Sequence, residues 1–326
     1  MNPLTGLYGA ATALRNTLFD RGVLSSRRLE QPVVSVGNLS VGGSGKTPFV
    51  IALGELLQAR GIRFDVLTRG YRRKTRGVMV VEKDGAVADF GDEPLLIARR
   101  LGVPVIVGES RYDAGRVGEQ KFQSQLHILD DGFQHRSLVR DFDIVLMTES
   151  DFDDRLLPSG RLREPLSSLQ RADAIGLSWD SSLKNLTIER LARQGKLIWR
   201  MHREIFTPTA PAAPIVFCGI ARPQQFFAQV RAAGITPAAE VEFRDHHAYD
   251  RSDIERLLAM RVKLDAGGFL TTEKDAVNLG ALLLQADLMP FTVAVLSVTI
   301  DDPNDVVDAI LARTIFARIT ERKPRS

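Results

Sequence analysis

The residues best suited to chemistry lie in one run, Ser40-Val41-Gly42-Gly43-Ser44-Gly45-Lys46-Thr47. Its glycines let backbone N–H groups converge on an anion, and a helix opening at Pro48 would add its positive N-terminal end. In such a cradle a lysine reaches the outer phosphates of a nucleotide and the next hydroxyl ligates Mg²⁺. Lys46 and Thr47 hold those places. The pattern usually opens on a glycine where Ser40 stands. Because the GGSGKT core is intact, the sequence predicts an altered approach to the loop and a retained phosphate site.

Carboxylates supply the second half of such chemistry. Leu126-His127-Ile128-Leu129 reads as an apolar strand that ends on Asp130 and Asp131, and a carboxylate there holds Mg²⁺ or its water. Asp92 and Glu93, in Gly91-Asp92-Glu93-Pro94, admit two readings. Asp92 can cap a helix with Pro94 in its first turn, or the pair can serve Mg²⁺ and a general base. Asp245 is followed by His246 and His247. Adjacent histidines do not readily face one metal, which argues against zinc; one imidazole bonded to an aspartate suits proton transfer. Arg163, in the turn-rich stretch Leu157–Pro165, can deliver a cation to a transferring phosphoryl group or simply pair with Glu164. Tyr71 sits among the cations of Arg69–Arg76, a loop suited to phosphate or to an acidic surface.

The elements that must position these groups alternate. Pro32–Val36 reads as a buried strand, and Pro48–Arg60 as a helix stopped by Gly61. Phe64–Leu67 and Val103–Val107 are strands, and Val78–Glu82 with Ala86–Asp89 reads as a hairpin through Asp84-Gly85. A helix spans Leu95–Leu101, and another carries Arg111. Ile144–Met147, Ala174–Leu177 and Lys196–Trp199 complete a parallel sheet with helices on both faces, a P-loop NTPase-like α/β fold. The proline-rich run Thr207–Pro214 marks a boundary. Beyond it come strands at Ile215–Ile220, Val241–Phe243, Gly268–Thr271 and Phe291–Val298. Helices are expected at Pro223–Ala233, from a Ser252 cap to Leu258, and finally at Asp305–Arg313. The expected divisions are an N-terminal helix in 1–30, a phosphate-loop core in 31–205 and a smaller α/β domain in 206–326.

Residues 3–24 place Leu4, Leu7, Tyr8, Ala11, Leu14 and Leu18 at helical spacing, with arginines at and after the end. Such a helix either packs on the protein or lies in a membrane interface with its arginines near anionic head groups. The chain has 44% hydrophobic and 25% charged residues, a net charge of +3 and a pI near 9.1. That balance accepts anionic ligands but does not argue for nucleic acid. A single cysteine excludes a disulfide framework and a cysteine zinc site, and fits a reducing compartment. No run is long and apolar enough to span a bilayer, and residues 1–14 lack the cations of a secretory signal.

The order GGSGKTP, RGY, GDEP, DDGFQH, GRLREP, DHH and TEKDAV resembles the tetraacyldisaccharide 4′-kinases, from about Tyr8 to Ala276. The phosphate loop is generic; DDGFQH with GDEP and TEKDAV is much more specific. The resemblance implies phosphorylation of the 4′-hydroxyl of a tetraacylated glucosamine disaccharide 1-phosphate, with ATP and Mg²⁺. It further implies a peripheral place on the cytoplasmic face of the inner membrane and a glycolipid substrate, and it implies no protein partner either way. By resemblance Asp92 is the catalytic base, paired with His246; Lys46, Thr47, Glu93, Asp130 and Asp131 hold ATP and Mg²⁺; and Tyr71, Arg111, His135 and Arg163 contact substrate or phosphate. The competing expectations are a soluble P-loop ATPase acting as a switch or assembly factor, and a small-molecule kinase whose first helix is merely core.

Overall fold

The structure is a computed structural model and describes residues 3–178, 186–280, 282–283 and 288–322. Among the described residues twelve strands form one sheet. In chain order they are β1 Val33–Asn38, β2 Phe64–Thr68, β3 Met79–Val80, β4 Val105–Val107, β5 Leu126–Asp130, β6 Phe142–Met147, β7 Ala174–Ser178, β8 Leu197–Phe206, β9 Ile215–Cys218, β10 Ala239–Glu242, β11 Phe269–Thr272 and β12 Phe291–Ile300. Their spatial order is β10-β9-β11-β12-β8-β7-β6-β1-β5-β2-β4-β3.

Two parallel blocks and the antiparallel edge strand β3 make up this sheet. One runs from β4 to β8 with β1 between β5 and β6, and the other comprises β12, β11, β9 and β10. The two blocks meet where β12 runs antiparallel to β8, with Ile300 opposite Met201 and Val295 opposite Phe206. The sequence-based strand at Lys196–Trp199 is therefore longer than expected, because β12 gives its second half a partner. The proline-rich connector begins where β8 ends.

All residues of β1, β5 and β6 are buried, as befits strands covered on both faces. One apolar core lies between the first block and the helices Lys46–Ala59, Asp92–Leu101 and Pro303–Leu311. Phe49 is wholly buried there, and its replacement by alanine is expected to cost about 3–5 kcal/mol. The first block has further cores, and the second block has its own.

Four local expectations are corrected. There is no hairpin over 78–89: Met79–Val80 pairs with β4, and Val87–Phe90 is a short helix. Phe90 is buried against Gly85, where a Cβ would come within 2.3 Å of its ring, so the chain turns inward instead of returning as a strand. Asp92 is not a cap; Gly91, at φ 90°, precedes the helix and Asp92 is its first residue. Asp250, not Ser252, caps the helix Arg251–Lys263 through the Asp253 N–H. The helix Pro303–Leu311 is not the last, since a further one runs from Ala317 to Arg322.

Candidate active site

The carboxyl end of β1 and its parallel neighbours builds one end of a cavity of about 870 Å³, the end where the sequence expects phosphate. Val36 lies opposite Asp130 in the β1–β5 ladder, and β2 brings Thr68 to the same edge. The loop turns through Gly42 at φ 88° and Gly45 at φ 79°, a conformation that favours glycine, and Lys46 then opens its helix. Where glycine is usual, Ser40 is buried and strapped to the 161–163 segment: Val41 donates its N–H to the Arg161 carbonyl at 2.8 Å, and Arg163 to that of Leu39 at 2.6 Å. This is the altered approach that Ser40 announces.

Lys46 Nζ donates to Asn38 Oδ1 at 3.0 Å and lies 3.4 Å from Asp131. The Arg163 guanidinium forks onto both oxygens of Asp131, at 2.9 and 3.0 Å, and also donates to Asn38. Burial raises the Asp131 carboxyl, but Lys46 and Arg163 outweigh it and hold the group well below the usual carboxylate range. Asp131, expected beside a metal, is thus the anchor of two cations.

Asp130 has the opposite surroundings. It is 3% exposed; its Oδ2 accepts from the Thr68 hydroxyl at 3.1 Å, and its Oδ1 is buried with no hydrogen-bond partner. Burial, then the charges of Glu93 and Asp131, push it up to about 7 despite Lys46 and Thr68. An orphaned carboxylate oxygen in the cavity that the buried Thr47 also lines suits a divalent cation. Among the described residues no three His, Cys, Asp or Glu side chains cluster as a metal cage. Mg²⁺ itself needs only one or two carboxylates and completes its shell with water and phosphate oxygens.

Across the cavity the second block meets the first at Asp92, which is 3% exposed. Its Oδ1 accepts the Glu93 N–H at 2.9 Å; its Oδ2 faces His246 Nδ1 at 2.8 Å and accepts from Asn278 Nδ2 at 3.1 Å. Lys274 Nζ stands 3.8 Å from Asp92, 3.5 Å from Glu93, 3.4 Å from Asp245 and 3.2 Å from His246 Nε2. Lysine only donates, so Nε2 accepts and Nδ1–H donates to Asp92. Burial pushes Asp92 up, yet the His246 hydrogen bond, the charge of Lys274 and the Asn278 hydrogen bond lower it to about 2. Two groups of the basic loop steady His246, itself at φ 57°: the Tyr71 ring lies 5.3 Å from the imidazole, and Arg72 donates to the carbonyls of Asp245 and His246 at 3.1 and 3.2 Å.

A family model described as tetraacyldisaccharide-1-P 4′-kinase matches residues 1–315. The chain belongs to that family. A tetraacyldisaccharide 4′-kinase from Koribacter versatilis is 47% identical over 321 residues, covering 95% of this chain and 98% of the relative. One from Aquifex aeolicus is 38% identical over 295 residues, covering 85% and 88%. The crystal structure of the "apo" form of LpxK from Aquifex aeolicus in complex with ATP superposes with a TM-score of 0.78 at 33% identity, over 96% of this chain and 98% of that one.

In this tetraacyldisaccharide 4′-kinase family member, all the site residues expected from sequence line one cavity: Ser40–Thr47, Tyr71, Asp92, Glu93, Arg111, Asp130, Asp131, His135, Arg163 and His246. Arg111 is buried, with Nε unpartnered, and burial and Arg69 lower its affinity for the proton. Burial and the arginines 111, 140, 15 and 69 lower His135 to about 4. His247 turns away to Asp253, at 2.7 Å, and packs against the rings of Phe243 and Tyr249. Of the two histidines left open by the sequence, His246 is the one on Asp92.

Sequence reasoning missed Asn38, Thr68, Lys274 and Asn278. The last two were open to discovery: TEKDAV begins a helix at a strand's carboxyl end, where residues 274 and 278 are one turn apart and share a face. Asn38 and Thr68 end β1 and β2, and only the sheet order shows that they flank Asp130. The first helix, Pro3–Asp20, has no buried residue, and Leu4, Leu7 and Leu14 are 59%, 69% and 62% exposed. Among the described residues no helix is long and apolar enough to cross a membrane.

Proposed function

We propose that the chain transfers the γ-phosphoryl group of ATP to the 4′-hydroxyl of a tetraacyldisaccharide 1-phosphate. The carrying observation is the position of Asp92, tied to His246, Asn278 and Lys274, in the cavity that also holds Lys46 and Asp130. Phosphoryl transfer demands little covalent chemistry of a protein, so positioning and charge neutralisation dominate. Lys46 and Arg163 offset charge on the phosphate oxygens. Asp92 accepts the hydroxyl proton late, once bond formation has acidified it, as its weak basicity requires. Bound Mg²⁺ would neutralise the outer phosphates; the Thr47 hydroxyl and Asp130 would hold it, with Glu93 near.

The division into 1–30, 31–205 and 206–326 is the one we adopt, since His246 and Lys274 come from beyond the connector and Asp92 from before it, with the helix Pro303–Leu311 returning to the core of the first block. The outward leucines of the first helix suit a membrane interface on the cytoplasmic face of the inner membrane.

The test incubates the protein with ATP, Mg²⁺ and the tetraacyldisaccharide 1-phosphate and weighs the lipid by mass spectrometry. A gain of one phosphate, absent with Lys46→Ala, is expected. ATP consumption with no change in the lipid would overturn the reading.

A further inference from the structure

The first helix carries two different faces. Leu4, Leu7 and Leu14 point outward, whereas Thr5, Tyr8, Gly9, Thr12, Asn16 and Phe19 form a half-buried stripe on the protein. A Cβ at Gly9 would stand 3.2 Å from Leu156, so the helix is seated closely on that loop. The polar groups of this side bond to two segments that line the cavity. Tyr8 Oη donates to the Arg163 carbonyl at 3.0 Å, Asn16 Nδ2 to Glu164 Oε2 at 2.8 Å, and Arg15 to the Gln134 carbonyl at 2.7 Å. Arg136 donates back to the Asn16 carbonyl at 3.0 Å. Glu164 is 1% exposed and shares that oxygen with Arg171. A carboxylate removed from water depends on such donors.

The same two segments hold the phosphate end. Arg163 grips Asp131 and Asn38, Gln134 Nε2 donates to the Asn38 carbonyl at 3.0 Å, and Asn38 is the acceptor for Lys46. A single residue thus separates the helix from the groups that orient the lysine.

We propose that Tyr8 and Asn16 are positioning residues of the kinase. By fixing the backbone of Arg163 and the carboxylate of Glu164, they aim the Arg163 guanidinium at Asp131 and Asn38, and so transmit the seat of the N-terminal helix to Lys46. This rests on the chain being a glycolipid kinase, but half of the test does not need the lipid.

The test compares Tyr8→Phe, Asn16→Ala and the double variant with the unaltered chain. ATP affinity is measured by calorimetry without glycolipid, and kcat and KM at saturating ATP with it. The double variant is expected to bind ATP about tenfold more weakly and to lose about tenfold in kcat, with KM for the glycolipid within about twofold. Tyr8→Phe removes one hydroxyl from a half-buried ring, and a loss of about threefold in both constants is expected. ATP affinity and kcat unchanged in every variant would overturn the proposal, as would a loss confined to KM for the glycolipid. A merely structural contact would lower the melting temperature and leave both constants alone.

Discussion

Asp92 and Asp130 are the same residue type, each 3% exposed in the same cavity, and they are pushed in opposite directions. Asp92 settles near 2 because His246, Lys274 and Asn278 overcome its burial. Asp130 rises to about 7 because Glu93 and Asp131 add to burial, while Lys46 and Thr68 do too little. Burial alone therefore does not decide what a carboxylate does; the sign of its neighbours does. The proposed Mg²⁺ would give Asp130 the positive charge that Lys274 already gives Asp92.

Removing the cation that serves the phosphate end should have the largest effect. Lys46→Ala is expected to lower kcat/KM about a thousandfold, since a charge aimed at the transferring group is lost. Steady-state kinetics at saturating Mg²⁺ checks this. Asp92→Asn keeps the shape but removes the proposed base and should lower kcat by about a hundredfold, with KM for ATP little changed. An equal loss in ATP affinity would erase the distinction between the two ends.

Lys274→Met sharpens the comparison. Without that charge the Asp92 carboxyl binds its proton more readily, so a base that must be ionised is lost at a higher pH. The acid limb of the kcat profile should move upward, with about a tenfold fall at its plateau. An unmoved limb would separate Lys274 from Asp92. The smallest effect is a proton count. With Asp130 near 7, Mg²⁺ binding to the nucleotide-free protein at pH 6 should release close to one proton, and far less at pH 9. Calorimetry in buffers of different ionisation enthalpy reads this, and Asp130→Asn should abolish it.

The two ends were not equally legible. Phosphate-end groups come from local runs with a period and a glycine code, so Gly42, Gly45, Lys46 and the strand-terminal Asp130 could be read from spacing. The base end joins Asp92 to His246, Lys274 and Asn278 across the connector, and no local pattern reports that contact. Only the family resemblance joined Asp92 to His246, and it left Lys274 unassigned although TEKDAV was in view. Asp92 also misled as a cap, because a helix-starting aspartate looks the same whether it bonds its own backbone or a distant imidazole. The long β8–β12 pair was equally hidden, since its partners are remote in the chain.

The central claim is that Asp92 and His246 act as one unit drawn from two blocks of the sheet. It is tested most directly by a double-mutant cycle on kcat with Asp92→Asn and His246→Ala. If the unit exists, the double variant should be no slower than the slower single variant. Losses that multiply would contradict it.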